Sequence, residues 1–187
     1  MSTTSHSRFS PEQLLKLPGG ERHELAERTM SLELAWVTTL LCTKLNEFVL
    51  PRGLGFVVGG GTRFQFFDIA ERICRPDISF IRSNVLKLDE FQSEYCAGMP
   101  HLVVRVVAPT DLFCDVEREA IEYSDAGIGL VWVINPDLET VLVYRPDHSM
   151  TRLTSSGTLD GEDVLPGFQC KVSSLFPDKS KLGLFTS

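Results

Sequence analysis

The sequence lacks an excess of basic residues. Among its 187 residues, 18 Lys and Arg stand against 25 Asp and Glu, which gives a formal net charge of −7. Proteins that rely on non-specific phosphate contacts are usually basic, because their cations replace the counterions of the nucleic acid. An acidic balance also disfavours an anionic membrane surface as a partner. Any contact with nucleic acid must therefore come from a local site.

Paired cysteines and long apolar runs are absent as well. The five cysteines are scattered and no CxxC occurs, which disfavours a structural zinc site and a disulfide framework. No apolar run approaches the roughly 18 residues of a membrane span. Residues 1–10 lack the apolar stretch of a signal peptide. We therefore expect a cytoplasmic protein with no membrane partner.

Common catalytic motifs are missing too. The sequence contains no HExxH, GxSxG, phosphate-binding loop or dinucleotide fingerprint, and its four histidines do not pair at ligand spacing. Gly59-Gly60-Gly61 follows a strand pattern, but the helix that a phosphate loop opens does not come after it. We expect a hairpin connection there, between strands over 54–58 and 62–67.

Hydrophobic periodicity predicts alternating helices and strands. Apolar residues at helical spacing predict a helix that starts at Ser31 and ends before Pro51, and a second helix is expected over 115–126. Aliphatic runs predict strands at 77–81, 101–108, 130–134, 141–144 and 150–153. The second helix lies between two of these strands, and this order implies a parallel crossover.

The length of the chain fits one domain. Residues 1–9 are expected to form a loose tail, and a short helix is expected to open at Ser10. Residues 10–180 are expected to form a single α/β domain, with a central mixed sheet flanked by helices.

Arg105 is unusual in its place, because it lies in the most apolar predicted strand, HLVVRVVA over 101–108. Alternation along a strand puts Val103, Arg105 and Val107 on one face. A buried charge must be paired, since otherwise it costs several kcal/mol. An acidic residue must therefore lie over that face, either as an internal salt bridge or as part of a functional site.

The following helix offers such an acid. At 100° per residue, Val116, Ala120 and Tyr123 share the side that should face the sheet. Glu119 lies on the margin of that side, about 40° from Tyr123. We therefore expect Glu119 to reach back over the sheet toward Arg105.

Two further acids carry weaker signals. Asp77 follows Arg75-Pro76 at the start of a predicted strand, where it is either a turn residue or a metal ligand, and turn chemistry favours the former. Glu24 is equally ordinary on sequence alone. The basic residues that hint at a phosphate-facing edge are Arg72, Arg75, Arg82 and Lys87, and a solvated loop is the favoured interpretation of them.

Several short stretches, spread from about Phe9 to Phe176, together carry a family resemblance. They are His23–Leu25, Met30–Glu33, Gly53–Gly55, Arg75–Ile81, Leu102–Asp111, Glu122–Tyr123, Ala126–Ile128, Leu130–Pro136 and Gly161–Phe168. In order and spacing they resemble the large bacterial family of putative restriction endonucleases, within the PD-(D/E)XK nuclease superfamily. The resemblance implies a restriction-endonuclease-like core, with a central mixed β-sheet flanked by α-helices.

The resemblance also implies a site. The family's early Glu falls on Glu24 and its Asp after Arg-Pro falls on Asp77, while its strand Glu and helix Lys fall on positions 105 and 119. The carboxylates would hold a divalent cation, Mg²⁺, near the scissile phosphate. The Lys would orient a water or stabilise developing charge.

This chain departs from the family at two of these positions, which are Arg105 and Glu119. The two signs are exchanged, so the family's formal site charge of −2 is kept by Glu24, Asp77 and Glu119 against Arg105. In one hypothesis, Arg105 and Glu119 form a salt bridge that preserves the fold and abolishes metal binding. In the other, Glu119 joins Asp77 and Glu24 as a metal ligand and Arg105 stabilises the phosphate. The first is favoured, because losing a strand-borne ligand usually destroys an octahedral site.

Three functions stay open at this point. The favoured one is a catalytically impaired nuclease-superfamily protein that still binds DNA or a protein partner. The alternative is an active DNA endonuclease with rearranged site residues and Mg²⁺ as its cofactor. The third is a non-catalytic structural or protein-interaction module. A homodimer is plausible for this class, although no residue pattern indicates one.

Overall fold

A six-stranded sheet organises the part of the chain that the structure describes. This computed structural model describes residues 31–60, 62–64, 74–85, 95–96 and 98–178. The strands are β1 (Gly55–Gly59), β2 (Arg63–Phe64), β3 (Ile78–Arg82), β4 (Tyr95–Cys96), β5 (Leu102–Val106), β6 (Leu130–Asn135), β7 (Thr140–Tyr144), β8 (Met150–Leu153), β9 (Thr158–Asp160) and β10 (Gln169–Lys171). The central sheet has the order β1-β3-β5-β6-β7-β8, while β9 with β10 and β2 with β4 form two small sheets.

The central sheet is mixed. Strands β5 and β6 pair in parallel, and the other neighbours in this sheet pair antiparallel. Helix α2 (Phe113–Asp125) connects β5 to β6. The parallel crossover and the mixed α/β sheet predicted from the sequence are therefore confirmed.

Helix α1 (Leu32–Val49) covers one face of the sheet. The Ser31 hydroxyl accepts the N–H of Leu34 at 3.1 Å and so caps the first turn. The chain leaves the helix through a 3-10 turn at Leu50–Arg52, because Pro51 cannot continue the α-helical hydrogen bonding. The start and the end of this helix agree with the prediction.

The two faces of β5 serve two separate cores. Leu102, Val104 and Val106 pack in the cluster that contains the buried side of α1. Val103 packs in the other cluster, with Val116, Ala120 and Tyr123 of α2. Alternation along the strand therefore places Arg105 between the sheet and α2, as the sequence predicts.

The expected hairpin around Gly59-Gly60-Gly61 is wrong. Strand β1 pairs antiparallel with β3, and β2 pairs in parallel with β4. Residues Ile78–Ile81 of β3 are buried on both faces, so this strand needs ladder partners on both edges, and β1 occupies the edge opposite β5. Gly55 allows the close approach, since a Cβ at this position would clash with the carbonyl oxygen of Ile81.

Two global features follow from the described residues. All five cysteines are free thiols. Within the described ranges, no helix has both the length and the apolar character needed to cross a membrane.

Candidate functional site

Arg105 and Asp77 meet through strand register. The antiparallel pairing of β3 with β5 matches Ile78 to Val104. One step further along, the same register puts Asp77 opposite Arg105 and on the same face of the sheet. The side chain of Asp77 is 9% exposed and that of Arg105 is 13% exposed, so the two charges meet largely out of water.

Three carboxylates surround the Arg105 guanidinium. Its Nη1 lies 3.4 Å from Asp77 Oδ2, its Nη2 lies 3.6 Å from Asp111 Oδ2, and its Nε lies 3.1 Å from Glu119 Oε2. The Nε–H is not aligned for a hydrogen bond, so the contact with Glu119 is an ion pair. The pairing of Arg105 with Glu119 that the sequence predicted is therefore present.

Asp77 also joins two strands. Its Oδ2 accepts the backbone N–H of Val106 at 2.7 Å, and its own N–H donates to the carbonyl of Val104 at 3.0 Å. These bonds extend the pairing of β3 with β5 past the last ladder residue. The oxygen that faces Arg105 thus also satisfies a buried backbone donor.

Glu119 reaches the cluster from the margin of α2. One of its carboxylate oxygens contacts Arg105, and the other accepts the hydroxyl of Tyr123 at 2.8 Å, one helical turn later. Burial and the nearby Glu119 carboxylate raise the pKa of Tyr123, so the hydroxyl stays protonated as a donor. The side chain of Glu119 is 31% exposed, more than those of Asp77 and Asp111.

Asp111 also belongs to the cluster, although no periodicity in the sequence marks it as a site residue. Its Oδ2 accepts the N–H of Ala108 at 2.8 Å, while its own N–H donates to the Ala108 carbonyl at 3.0 Å. This tight turn folds the chain back over the end of β5 and directs the carboxylate toward Arg105. The signal was present in Pro109-Thr110-Asp111, where turn-forming residues that include an acid follow the strand that carries the buried cation.

The electrostatics of the cluster fix the charge of its cation. Burial disfavours a charged guanidinium, but the carboxylates of Glu119, Asp77 and Asp111 outweigh burial and raise the pKa of Arg105. Among the described residues, three carboxylates against one guanidinium leave a formal charge of −2. The cluster therefore holds a permanent internal cation and a residual negative charge.

The cluster does not fit the divalent cation that the resemblance implies. Asp77 Oδ2 contacts the Arg105 guanidinium and accepts the N–H of Val106. A guanidinium carries only donors and does not deprotonate, so it cannot serve as a ligand. Across the described ranges, no group of three or more His, Cys, Asp or Glu side chains is arranged to hold a metal ion.

The structure thus brings together three of the four residues that the sequence selected, Asp77, Arg105 and Glu119, and adds Asp111. Glu24, the expected helix at Ser10, and the basic residues Arg72 and Lys87 lie outside the described residues. Arg82 Nη2 donates to the carbonyl of Asp163 at 3.0 Å.

Comparisons with known proteins agree with this architecture. The model of the Uma2 family, described as putative restriction endonuclease, matches residues 11–173. Among solved structures, the chain is similar to a putative nuclease from Anabaena variabilis ATCC 29413, with a TM-score of 0.74 and 18% sequence identity. The alignment covers 90% of this chain and 98% of that one, which shows a shared fold. No curated protein matches the sequence.

Proposed function

The chain belongs to the Uma2 family of putative restriction endonucleases, and from this premise we propose that it is a nuclease-fold protein that does not hydrolyse phosphodiester bonds. The observation that carries the proposal is the Arg105 guanidinium, which lies within 3.6 Å of three carboxylates. These acids neutralise an internal cation instead of binding Mg²⁺. The fold then serves as a binding scaffold, with DNA as the proposed partner.

The chemistry of metal-dependent hydrolysis explains why an arginine is a poor substitute. A divalent cation activates a water and stabilises the developing phosphate charge, and it needs exchangeable positions for both. A guanidinium offers charge and donors, but it cannot lower the pKa of a bound water or release a proton. Arg105 is also held by three acids, which leaves it weakly available to a phosphate.

A cleavage assay tests the proposal directly. Supercoiled plasmid is incubated with the full chain in Mg²⁺ and then in Mn²⁺, beside an Asp77→Ala variant with confirmed folding. We expect no nicking or linearisation above background by either protein. Cleavage by the parent that disappears in Asp77→Ala would contradict the proposal and would support the alternative, in which Glu119 acts as a ligand.

A reciprocal exchange tests the cause of the loss. The variant Arg105→Glu with Glu119→Lys restores the family's signs at both positions, and we expect it to bind Mn²⁺ by calorimetry more tightly than the parent does. The matched control exchanges an exposed ion pair of the same helix, Arg118→Glu with Asp115→Lys, whose atoms lie 3.0 Å apart. If the reciprocal variant binds no better than the parent, the exchange is not the reason that the site lacks a metal.

A further inference from the structure

A groove lies on the opposite side of the sheet from Arg105. It has a volume of about 440 Å³ and lies between the end of α1 and strand β10. Its residue Phe168 packs in the core cluster of α1, whereas Arg105 faces α2. The volume is in the range of small-molecule sites, roughly 300–1,000 Å³.

The lining of the groove is cationic in an acidic chain. It contains Lys44, Arg52 and Lys171 against one acid, Glu47. The whole chain has the opposite balance, with a net charge of −7. Within the described part of the chain, neither Lys44 nor Lys171 forms an ion pair. Two ammonium groups are therefore available to a ligand.

The third cation is fixed in place by its neighbours. The Arg52 guanidinium lies over the Phe48 ring, 4.1 Å from its centroid, and Nη1 donates to the Phe48 carbonyl at 3.0 Å. Phe48 in turn packs edge-on against Phe168, with centroids 5.5 Å apart. This arrangement orders one guanidinium and one half-buried aromatic ring before any ligand arrives.

Neutralisation of the α1 dipole does not account for all three cations. Arg52 bonds a carbonyl in the last turn of α1 and so offsets its negative end. Lys44 lies more than a turn earlier, and Lys171 comes from a separate strand. Their convergence on one groove needs another explanation.

We propose that this groove binds a small molecule that carries a phosphate group. A planar guanidinium and two ammonium groups match the donors that phosphate oxygens require. Arg52 lies over Phe48, so a flat ring next to the phosphate would stack on this guanidinium–aromatic pair, and a mononucleotide therefore uses more of the lining than inorganic phosphate does. Arg105 and Asp77 have no part in this site.

Calorimetric titration with AMP and with inorganic phosphate, both without divalent metal, tests the proposal. We expect saturable binding of AMP to the full chain. Lys44→Gln with Lys171→Gln should weaken it by at least about tenfold, because two charge-assisted contacts are lost. The control removes two exposed cations elsewhere, Arg118→Gln with Arg152→Gln, and should leave the affinity within about twofold.

Further variants distinguish binding of a nucleotide from binding of phosphate alone, and the groove from the Arg105 cluster. If the flat ring of AMP is bound, Phe48→Leu should weaken the affinity for AMP and leave the affinity for inorganic phosphate unchanged. Equal affinities of the parent for both probes would restrict the site to phosphate. Asp77→Ala should bind AMP like the parent. Absence of AMP and phosphate binding up to about 10 mM, or an equal loss in the Arg118/Arg152 control, would overturn the proposal, whatever the cleavage assay shows.

Discussion

A guanidinium held by three carboxylates differs from a metal ion held by the same groups. It is covalently attached to β5, so it neither dissociates nor exchanges its neighbours for water. Removing one member of a buried ion pair leaves the partner charges uncompensated in a low dielectric, which costs about 3–5 kcal/mol. Arg105 thus stabilises the folded protein. When Arg105 is removed, we expect an external cation to take its place among the three carboxylates.

Replacing Arg105 by glutamine tests this replacement. We expect Arg105→Gln to lower the free energy of unfolding by about 3 kcal/mol, because Asp77, Asp111 and Glu119 then repel one another. Millimolar Mn²⁺ should raise the melting temperature of the variant and leave that of the parent unchanged. Thermal melts with and without Mn²⁺ provide the measurement.

The control for this experiment is Arg118→Gln, which removes an exposed arginine with a side chain that is 66% accessible. Its melting temperature should respond to neither the substitution nor the metal. A variant at position 105 that is as stable as the parent, and indifferent to Mn²⁺, would mean that the three acids do not act as one site.

Tyr123 gives the cluster a dependence on alkaline pH. Its pKa is raised above the ordinary value of 10.0 by burial and by Glu119. Above about pH 10 the unfolded chain releases this proton while the folded protein retains it. The free energy of unfolding should therefore fall as pH rises above 10, by at most about 1.4 kcal/mol per pH unit from this group.

Tyr123→Phe should remove that contribution. At pH 7 it should cost about 1–2 kcal/mol, because Glu119 loses a hydrogen bond. Above pH 10 the stability of the variant should decline less steeply than that of the parent in urea titrations. Tyr144→Phe is the comparison, since burial and the nearby Glu117 carboxylate raise the pKa of Tyr144 as well. An unchanged pH slope in Tyr123→Phe would show that this hydroxyl ionises freely in the folded protein.

At the scale of the element, β1 depends on one glycine. Gly55 has a φ of +155°, and a Cβ there would meet the backbone of Ile81 and Arg82. We expect Gly55→Ala to destabilise the protein by roughly 2–3 kcal/mol, since backbone atoms must shift. Gly59→Ala in the same strand has open space around the new Cβ and should change stability by less than about 0.5 kcal/mol. Equal effects of the two substitutions in urea unfolding would contradict this explanation.

The elements with strong local signals were predictable from the sequence. Ser31, the apolar spacing of α1 and Pro51 mark a helix through short-range chemistry, and the valine run of β5 marks a strand buried on both faces. The pairing of β1 with β3 was not predictable, because a partner 19 to 27 residues away competes with the adjacent run. A local sequence pattern does not show which of two possible partners a strand will pair with.

The candidate site was likewise predictable only where the regular spacing of a helix or strand determines it. Alternation in β5 and the angular position on α2 placed Arg105 near Glu119, because both follow from fixed periods. Asp111 was not predictable, since its place in the cluster depends on the path of a turn and not on the periodicity of a helix or strand. The sequence predicts that Asp77 is a turn residue or a metal ligand, and the structure shows it accepting a strand N–H.

At the scale of the whole molecule, the described residues distribute charge unevenly between the two faces of the sheet. Among them, the face under α2 carries the cluster of Arg105, whose formal charge is −2. The groove beside α1 concentrates three cations. The groove therefore offers a phosphate group favourable local contacts. The net charge of −7 repels phosphate groups from the protein as a whole.

This distribution predicts how the protein responds to DNA. Each phosphate neutralised on duplex DNA contributes about −0.9 to the slope of log affinity against log salt. Of the four basic residues expected at a phosphate-facing edge, Arg75 and Arg82 lie in the described part, and Arg82 already bonds Asp163. We therefore expect fluorescence anisotropy with a random duplex to detect weak binding, with a slope no steeper than about −3. A slope of −6 or steeper would require a basic surface formed elsewhere, such as one assembled between two copies of the chain, and would contradict recognition through a local site.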